Sequence, residues 1–230
     1  MGPEATASMF AQVIRHTQAD NDQQHLEIVI HNNNRIPDRT AAILYNGPSP
    51  LPELMRSVNI LVQCHAEIIV IPCMTSHFFL PDLQRQTRVP ILNAIRETVF
   101  RIVQRNQDIN VVGLLATSGT VESGLFQVEA KQHGLNCLVP SLRQQLSVMD
   151  AIYGKQGIKA GYLDRGAKTI LQKAAMELID HGAQAIIAGC TEVPLALTDR
   201  DITVPYINPV EVLAVKAVEE CGGLVRKNED

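Results

Sequence analysis

Two cysteines of this 230-residue sequence end closely similar segments. Cys73 closes the segment AEIIVIPC, and Cys190 closes the segment AQAIIAGC. Each is predicted to lie between the end of a strand and the start of a helix, where free N–H groups and the helix dipole can lower a thiol pKa below its usual value of about 8.5. A thiolate can then remove a proton from carbon while a thiol on the opposite face returns one. Together these two steps convert a chiral centre into its mirror image.

The two segments belong to a longer internal repeat. The cysteines lie 117 residues apart, and a second matched pair, VPILN (89–93) and VPYIN (204–208), lies 115 residues apart. Two α/β lobes related by a pseudo-twofold axis would face the carboxyl ends of their strands toward a common cleft, where ligands bind. The repeat therefore predicts that Cys73 and Cys190 lie on opposite walls of an interlobe cleft.

Other uses of a cysteine pair fit the sequence less well. The five cysteines are an odd number without a CxxC pair, so they indicate neither a disulfide framework nor a zinc site, and we expect no metal. A cysteine hydrolase needs one nucleophile beside an orienting histidine, and a disulfide redox site needs thiols in contact. Cys64 and Cys221 fall in helical stretches and Cys137 lies inside a predicted strand, so none of them shares the setting of the pair.

Apolar runs of strand length alternate along the chain with segments of helix length. The predicted strands are 26–30, 67–71, 110–115, 135–139 and 184–188, and the predicted helices are 4–19, 51–65, 120–133, 164–182 and 209–221. Continuous Val and Ile runs separated by helices indicate parallel strands covered on both faces, and hence an α/β fold. With the repeat, this predicts two similar lobes, each a parallel sheet flanked by helices. One lobe takes 1–94 plus 206–230, which returns as a C-terminal helix, and the other takes 95–205.

Composition and charge argue against two classes of partner. The sequence has 20 basic and 24 acidic residues, a formal charge of −4 and no basic stripe, so it does not fit a nucleic-acid-binding protein. No apolar run approaches the roughly 20 residues that cross a bilayer, and the start MGPE lacks the basic and apolar regions of a signal peptide. We therefore expect a cytoplasmic protein without membrane contact.

Several polar residues are candidates for holding a negatively charged substrate. Thr75, Ser76 and Thr191 lie in helix-opening turns whose N–H groups form anion cradles. Arg39 follows a predicted strand and an Asn-rich turn, so its guanidinium either binds a second carboxylate at the rim of the cleft or is an ordinary surface-loop cation. Lys159 is flanked by glycines in GIKAG and, taken alone, is a solvated lysine of a mobile loop.

Two further residues beside the cysteines have two interpretations each. His77, four residues after Cys73, is either a helix residue with structural hydrogen bonds or a direct acid/base group, and the first interpretation is favoured. Glu192, two residues after Cys190, is either a carboxylate that tunes the local field or a plain helix cap.

Six motifs cover nearly the whole chain in a characteristic order: MGPEAT (1–6), IPDRT (36–40), PCMTSH (72–77), GLLAT with SGT (113–120), IKAG (158–161) and AGCTE (188–192). Together they resemble the aspartate/glutamate racemase family, which works without pyridoxal phosphate. Within that family, the PDRT and GCTE elements are more similar to aspartate racemases than to the glutamate racemases of the cell-wall pathway.

The resemblance implies a cofactor-independent racemase for a small acidic amino acid, most like aspartate, and a homodimer. It implies that Cys73 and Cys190 are the two acid/base thiols. The residues that it assigns to the substrate are Arg39 and Lys159 from the lobe loops, Thr75, Ser76 and the backbone at Met74 for the carboxylates, and Thr117, Thr191 and Glu192 along the pocket.

The sequence departs from the family pattern in two places. Met74 stands where the family usually has asparagine, so a thioether replaces an amide that forms hydrogen bonds. The family also has a strand and a Gly-rich turn before the MGPEAT motif, with which this sequence begins. The second half carries such a strand, VVGLL (111–115), before ATSGT (116–120). We therefore expect a chain with an added upstream strand to melt at a higher temperature and to be more active.

The sequence leaves two other functions open. One is a different carbon-acid reaction on the same scaffold, such as hydantoin racemisation or maleate isomerisation. The other is a catalytically impaired amino-acid-binding protein, which Met74 and the departure at the first motif would explain. Arg39 and the GCTE turn favour a free acidic amino acid as the substrate.

Overall fold

A parallel sheet in the second half of the chain organises the fold. The computed structural model describes residues 1–105, 108–163 and 165–226. The strands are β1 (Val111–Leu115), β2 (Asn136–Leu138), β3 (Ala185–Ala188) and β4 (Tyr206–Ile207). All pairings are parallel, in the spatial order β2-β1-β3-β4. The predicted α/β fold, a parallel sheet flanked by helices, is confirmed.

Helices cover both faces of this sheet and build most of the first half. Those of the first half are α1 (Pro3–His16), α2 (Arg39–Leu44), α3 (Leu51–Gln63), α4 (Leu80–Arg85) and α5 (Ala94–Arg105). Those of the second half are α6 (Ser118–Glu122), α7 (Leu125–Gln132), α8 (Leu142–Tyr153), α9 (Arg165–Asp180), α10 (Val193–Ala196) and α11 (Pro209–Glu220).

The central strands β1 and β3 consist of apolar residues and glycine, and all of them except Val111 are buried. All four residues of β3 are buried, and the register pairs Val112 with Ala185 and Leu115 with Ala188. Helix α9 packs against both strands. Gly113 is required for this close packing, since a Cβ there would lie 2.8 Å from a side-chain carbon of Ile186.

The two halves of the chain share one hydrophobic core. It joins Met9 and Val13 of α1 to Val112 and Leu114 of β1 and to Leu213 of α11. The C-terminal helix α11 packs along α1 and α5, so the chain returns to its first half at its end. The lobe boundaries, 1–94 plus 206–230 and 95–205, stay a prediction.

The predicted strands of the first half do not form a full ladder. Residues 67–71 take part in a single parallel bridge, between Ile69 and Ile91. Residues 26–30 pair with no strand in the described part of the chain, so the prediction of a strand there is wrong. The cause is that strand pairing needs a neighbour on the correct side, and no described segment occupies that position.

The bridge between Ile69 and Ile91 nevertheless shows that the sequence repeat is also a structural repeat. The N–H of Ile69 donates to the carbonyl of Pro90 over 2.9 Å, and the N–H of Ile186 donates to the carbonyl of Pro205 over 2.9 Å. The two halves of the repeat therefore place their cysteine-bearing strands beside the same kind of partner.

One predicted helix is divided in the structure. The segment 120–133 contains the end of α6 and the whole of α7, which are separated at Ser123 and Gly124. Gly124 has a φ of 67°, a left-handed conformation that stops a helix and that glycine adopts without strain. The predicted helices 4–19, 51–65, 164–182 and 209–221 correspond to α1, α3, α9 and α11.

Candidate active site

Cys73 and Cys190 line one cavity. It has a volume of about 1200 Å³, including space that is open to solvent. Cys73 lies just beyond the carboxyl end of the segment 67–71, and Cys190 lies just beyond the carboxyl end of β3. Of the predicted site residues, those that line the cavity are Arg39, Cys73, Met74, Thr75, Thr117, Lys159, Cys190, Thr191 and Glu192. The structure therefore brings the residues of the distant motifs to one place.

A buried histidine fixes the backbone of Cys73. His77 lies in the 3-10 segment Met74–Phe79, which begins directly after Cys73. The Nε2 of His77 accepts from the N–H of Ala94, 3.0 Å away, so Nδ1 carries the ring proton and donates it to the Cys73 carbonyl over 3.1 Å. Burial lowers the pKa of His77, which keeps the ring neutral. These contacts favour the structural interpretation of His77.

Arg39 brings a buried positive charge to the Cys73 side of the cavity. It is the first residue of α2, whose N-cap Asp38 accepts a hydrogen bond from the N–H of Ala41 over 2.8 Å. Only 8% of Arg39 is exposed. Burial lowers the pKa of its guanidinium, but the negative charge that Cys73 can carry, together with Tyr153 and Asp38, raises that pKa by more.

The guanidinium of Arg39 is only partly hydrogen-bonded within the described residues. One terminal nitrogen donates to the carbonyl of Pro37 over 3.1 Å. The buried Nε has no partner among the described residues. A buried donor without a partner costs about 1–3 kcal/mol. Arg39 also lines the cavity, where its guanidinium can bind a carboxylate.

Cys190 belongs to a chain of hydrogen bonds that ends in a lysine. Its Sγ donates to Oε2 of Glu192 over 2.9 Å, and the hydroxyl of Thr191 donates to the same oxygen over 2.9 Å. The other oxygen, Oε1, accepts from Nζ of Lys159 over 2.5 Å. Glu192 therefore links the two predicted groups, the thiol and the loop lysine.

Burial and charge set the protonation of this group. Burial and the negative charge of Glu192 raise the pKa of the Cys190 thiol well above its ordinary value. Burial opposes ionisation of Glu192, but Lys159 and the hydrogen bonds from Cys190 and Thr191 outweigh it and lower the pKa of the carboxyl. Burial likewise disfavours the charged form of Lys159. The nearby carboxylate of Glu192 has the larger effect and raises the lysine pKa. At neutral pH the group holds a cation, an anion and a protonated thiol.

Three threonine hydroxyls meet between the two halves of the site. The hydroxyl of Thr75 lies 3.1 Å from that of Thr117 and 2.8 Å from that of Thr120. Thr117 is also the N-cap of α6. Thr120 was not among the predicted site residues, because it lies in no motif other than the SGT run.

Two predicted carboxylate-binding residues have buried side chains. Met74 is 2% exposed and packs in the shared core with Met9 and Val13, although it also lines the cavity. Ser76 is fully buried, and its hydroxyl donates to the sulfur of Met1 over 3.3 Å. Met74 can therefore face a substrate through its backbone, whereas Ser76 does not line the cavity and its N–H donates to the carbonyl of Cys73 over 3.1 Å.

Tyr153 and Asp38 are site residues that the sequence analysis did not single out. The hydroxyl of Tyr153 donates to Oδ2 of Asp38 over 2.8 Å, and Nζ of Lys159 lies 5.3 Å from the centre of the Tyr153 ring. Burial and the charge of Asp38 raise the pKa of Tyr153, so it remains a neutral donor. Asp38 could have been identified from the sequence as the N-cap of a helix, whereas no motif or spacing indicates Tyr153.

Metal sites and membrane-spanning helices each have a recognisable structure. Within residues 1–105, 108–163 and 165–226, no three His, Cys, Asp or Glu side chains are grouped so that they could hold a metal ion. None of the helices described over these ranges has the length and apolar character needed to span a bilayer.

Comparison with protein families gives a match over most of the chain. Residues 1–217 match the family model described as Asp/Glu/Hydantoin racemase. The chain is 25% identical over 226 residues to the broad specificity amino-acid racemase RacX of Bacillus subtilis, covering 95% of this chain and 93% of that protein. It is 30% identical over 165 residues to the glutamate racemase of Corynebacterium glutamicum, covering 65% of this chain and 55% of that protein.

Comparison with solved structures gives the same architecture. The aspartate racemase of Picrophilus torridus superposes with a TM-score of 0.85 and 25% sequence identity, over 98% of this chain and 93% of that chain.

Proposed function

This chain is an amino-acid racemase of the Asp/Glu/hydantoin racemase family, and we propose that it interconverts the enantiomers of aspartate by proton transfer through Cys73 and Cys190. Family membership confirms the resemblance seen in the motifs. The observation that carries the proposal is that two cysteines from the two copies of the repeat line one cavity with Arg39 and Lys159. Two cations beside two thiols fit an amino acid with two carboxylates, and the similarity to an aspartate racemase supports that substrate.

The two thiols have different surroundings, and this gives each a role in the resting protein. Cys190 donates its proton to Glu192, so it starts as the acid. Cys73 lines the same cavity beside the Arg39 guanidinium, and no carboxylate among the described residues forms a hydrogen bond with it, so we assign it the role of the base. Cys73 removes the α-proton and becomes a thiol, while Cys190 delivers its proton to the opposite face of the same carbon and becomes a thiolate. The reverse reaction restores the first state.

The cations of the cavity stabilise the intermediate charge. Removal of the α-proton places an electron pair on a carbon next to an ionised carboxylate, which creates an enolate-like dianion. The guanidinium of Arg39 supplies a positive charge in the cavity wall, and Lys159 supplies a second positive charge from the opposite loop. Both charges are present before the substrate binds, so little reorganisation is needed when charge develops.

Glu192 has a positioning role in this scheme. It keeps the proton on Cys190 until the substrate carbon accepts it, and Lys159 partly neutralises its charge. When Cys190 becomes a thiolate, the same lysine lies next to the anionic pair and offsets the repulsion between them. The interpretation of Glu192 as a residue that tunes the local field therefore accounts for its contacts better than a helix cap, because it forms no side-chain cap hydrogen bond with α10.

The proposal is tested by incubating the protein, without added cofactor, with L-aspartate and separately with L-glutamate, and following the loss of circular dichroism. Chiral chromatography identifies the product. We expect D-aspartate to form, with a higher kcat/KM for aspartate than for glutamate. A matched Cys73→Ser, Cys190→Ser double variant shows that the activity belongs to this protein. Turnover of a hydantoin, or of neutral amino acids only, would contradict the assignment of aspartate.

A further inference from the structure

Helix α8 carries one polar side chain on its buried face. The buried residues of this helix are Gln145, Val148, Ala151 and Ile152. The last three pack in a hydrophobic cluster with Leu115 of β1, whereas Gln145 is a primary amide that is only 7% exposed. An amide is costly to bury unless its hydrogen bonds are satisfied, so packing alone does not account for a glutamine at this position.

The amide of Gln145 holds the segment 116–118, which connects β1 to the start of α6. Its Nε2 donates to the carbonyl of Ala116 over 3.0 Å and to the hydroxyl of Ser118 over 3.2 Å. Met149, about one turn further along α8, accepts from the N–H of Ser118 through its sulfur over 3.1 Å. Helix α8 therefore holds this segment at one carbonyl, one hydroxyl and one N–H.

The middle residue of the segment, Thr117, lines the cavity of the two cysteines. Its hydroxyl lies 3.1 Å from the hydroxyl of Thr75, which lines the same cavity and follows Cys73 by two residues. Gln145 itself does not line the cavity. Any effect of Gln145 on a bound substrate must therefore pass through Thr117.

We propose that Gln145 is a positioning residue of the racemase, which fixes the segment 116–118 so that Thr117 offers its hydroxyl, beside that of Thr75, to a carboxylate of the substrate. This inference rests on the proposed function, because it names a residue that supports the same binding site. A binding group loses much of its effect when weak support allows it to move by about 1 Å. The hydrogen bonds from α8 prevent such a movement.

The unpaired oxygen of the same amide supports this role. The Oε1 atom of Gln145 is buried and has no partner among the described residues. A buried acceptor without a partner destabilises the folded state. Methionine, which has nearly the same length, would avoid that penalty but would lose both hydrogen bonds to the segment. Holding the segment is therefore the contribution that distinguishes glutamine from an apolar side chain at this position.

The first test compares Gln145→Met with Gln144→Met. Both variants remove an amide from α8, but the Nε2 of Gln144 donates to the carbonyl of Ile170 in α9. In racemisation of aspartate we expect Gln145→Met to raise KM about tenfold and to change kcat less than threefold, because binding of a carboxylate is weakened in ground state and transition state alike. Gln144→Met should leave both constants within twofold. An unchanged KM in Gln145→Met, or an equal rise in Gln144→Met, would overturn the proposal.

A double-variant cycle tests whether Gln145 acts through Thr117. Thr117→Val removes the hydroxyl and keeps a side chain of nearly the same shape. The dissociation constant of aspartate, measured by calorimetry, should then rise less than twofold when Gln145→Met is added to Thr117→Val. A general disturbance of the fold would raise it by the same factor in both backgrounds and would overturn the proposal. If Gln145→Met does not fold, Gln145→Asn, whose amide is one methylene shorter, replaces it in each comparison.

A third measurement needs no substrate. The threonine methyl groups are labelled with ¹³C, and we expect Gln145→Met to shift the NMR signals of Thr117 and Thr75, whereas Gln144→Met leaves them in place. Shifted signals in a protein that does not racemise aspartate would contradict the proposed function and support the hold of Gln145 on Thr117. Aspartate racemisation with unshifted signals and an unchanged KM would leave the proposed function standing and overturn this inference.

Discussion

The Sγ of Cys190 lies 2.9 Å from Oε2 of Glu192, and the same carboxylate holds Lys159 through its other oxygen over 2.5 Å. The carboxylate therefore stands between a thiol and an ammonium group. Its negative charge keeps the proton on sulfur, and the lysine keeps the carboxyl ionised. No equivalent carboxylate contact to Cys73 is present in the described part of the chain, where Arg39 stands instead. A positive charge, that of Arg39, therefore lies beside Cys73, and a negative charge, that of Glu192, lies beside Cys190.

The Glu192→Gln variant should release the Cys190 proton more easily. Loss of the negative charge lowers the pKa of the thiol, because charge repulsion is one cause of its elevation. We expect the pH dependence of Cys190 alkylation by iodoacetamide, followed by mass spectrometry, to move down by about one pH unit or more. Glu220→Gln, at an exposed ion pair with Lys216, is the matched control. An unchanged alkylation profile would contradict the role of Glu192.

The single variants Cys73→Ser and Cys190→Ser should each lose racemisation by a factor of about 10² to 10⁴, the usual contribution of a positioned acid or base. Serine is similar in size but is a much weaker acid, so aspartate binding measured by calorimetry should remain within a few fold. Cys64→Ser, at an exposed position, serves as the control and should keep full activity. Substantial turnover in both single variants would exclude a mechanism that needs two thiols.

The Arg39→Lys variant should bind aspartate more weakly even though it keeps a positive charge. A lysine cannot reproduce the planar fork or the buried Nε that lacks a partner. Loss of one charge-assisted hydrogen bond corresponds to about 1.5–3 kcal/mol, so we expect KM to rise about 10- to 100-fold. Arg35→Lys changes an exposed arginine in the turn before α2 and should have no effect. A KM within twofold of the original would show that Arg39 does not bind the substrate.

The His77→Gln variant should be less stable, and the difference should depend on pH. The amide oxygen can still accept from Ala94, but the hydrogen bond to the Cys73 carbonyl is lost, at a cost of about 1–3 kcal/mol at pH 8. Burial lowers the pKa of His77 in the folded state, so the unfolded chain takes up a proton first as the pH falls below about 6.5.

The stability that neutral His77 provides is therefore complete above about pH 6.5 and decreases as the pH falls toward the lower folded-state pKa. The difference in unfolding free energy between the original protein and His77→Gln should shrink from pH 8 to pH 5, as measured by urea denaturation. His181→Gln, at an exposed histidine, should retain the original pH dependence. A constant difference across this range would mean that His77 is not held neutral by burial.

The sequence predicted the parts of the site that depend on the repeat. Cys73 and Cys190 end matched segments, and the parallel pairing of Ile69 and Ile186 with equivalent partners explains why both thiols reach one cavity. The strands β1 and β3 were also predictable, because uninterrupted apolar runs between helices are typical of buried parallel strands.

Contacts between distant residues were not predictable from spacing. Tyr153 and Asp38 are 115 residues apart, and their hydrogen bond depends on how α8 packs against the loop before α2. The wrong strand at 26–30 has a similar origin, since an apolar run shows strand propensity but does not show whether a neighbouring strand is available. The single bridge between Ile69 and Ile91, in place of a full ladder among the described residues of the first half, therefore does not follow from the sequence.

The most direct test of the two-thiol mechanism is the position of deuterium early in the reaction. L-Aspartate is incubated in deuterated water, and the two enantiomers are separated at a few per cent conversion and analysed by mass spectrometry. Two thiols predict that D-aspartate carries one deuterium, because Cys190 exchanges its proton with solvent before it delivers it, while the remaining L-aspartate stays unlabelled. A single base would return the same hydrogen, so D-aspartate that retains its hydrogen, or equal early labelling of both enantiomers, would contradict the mechanism.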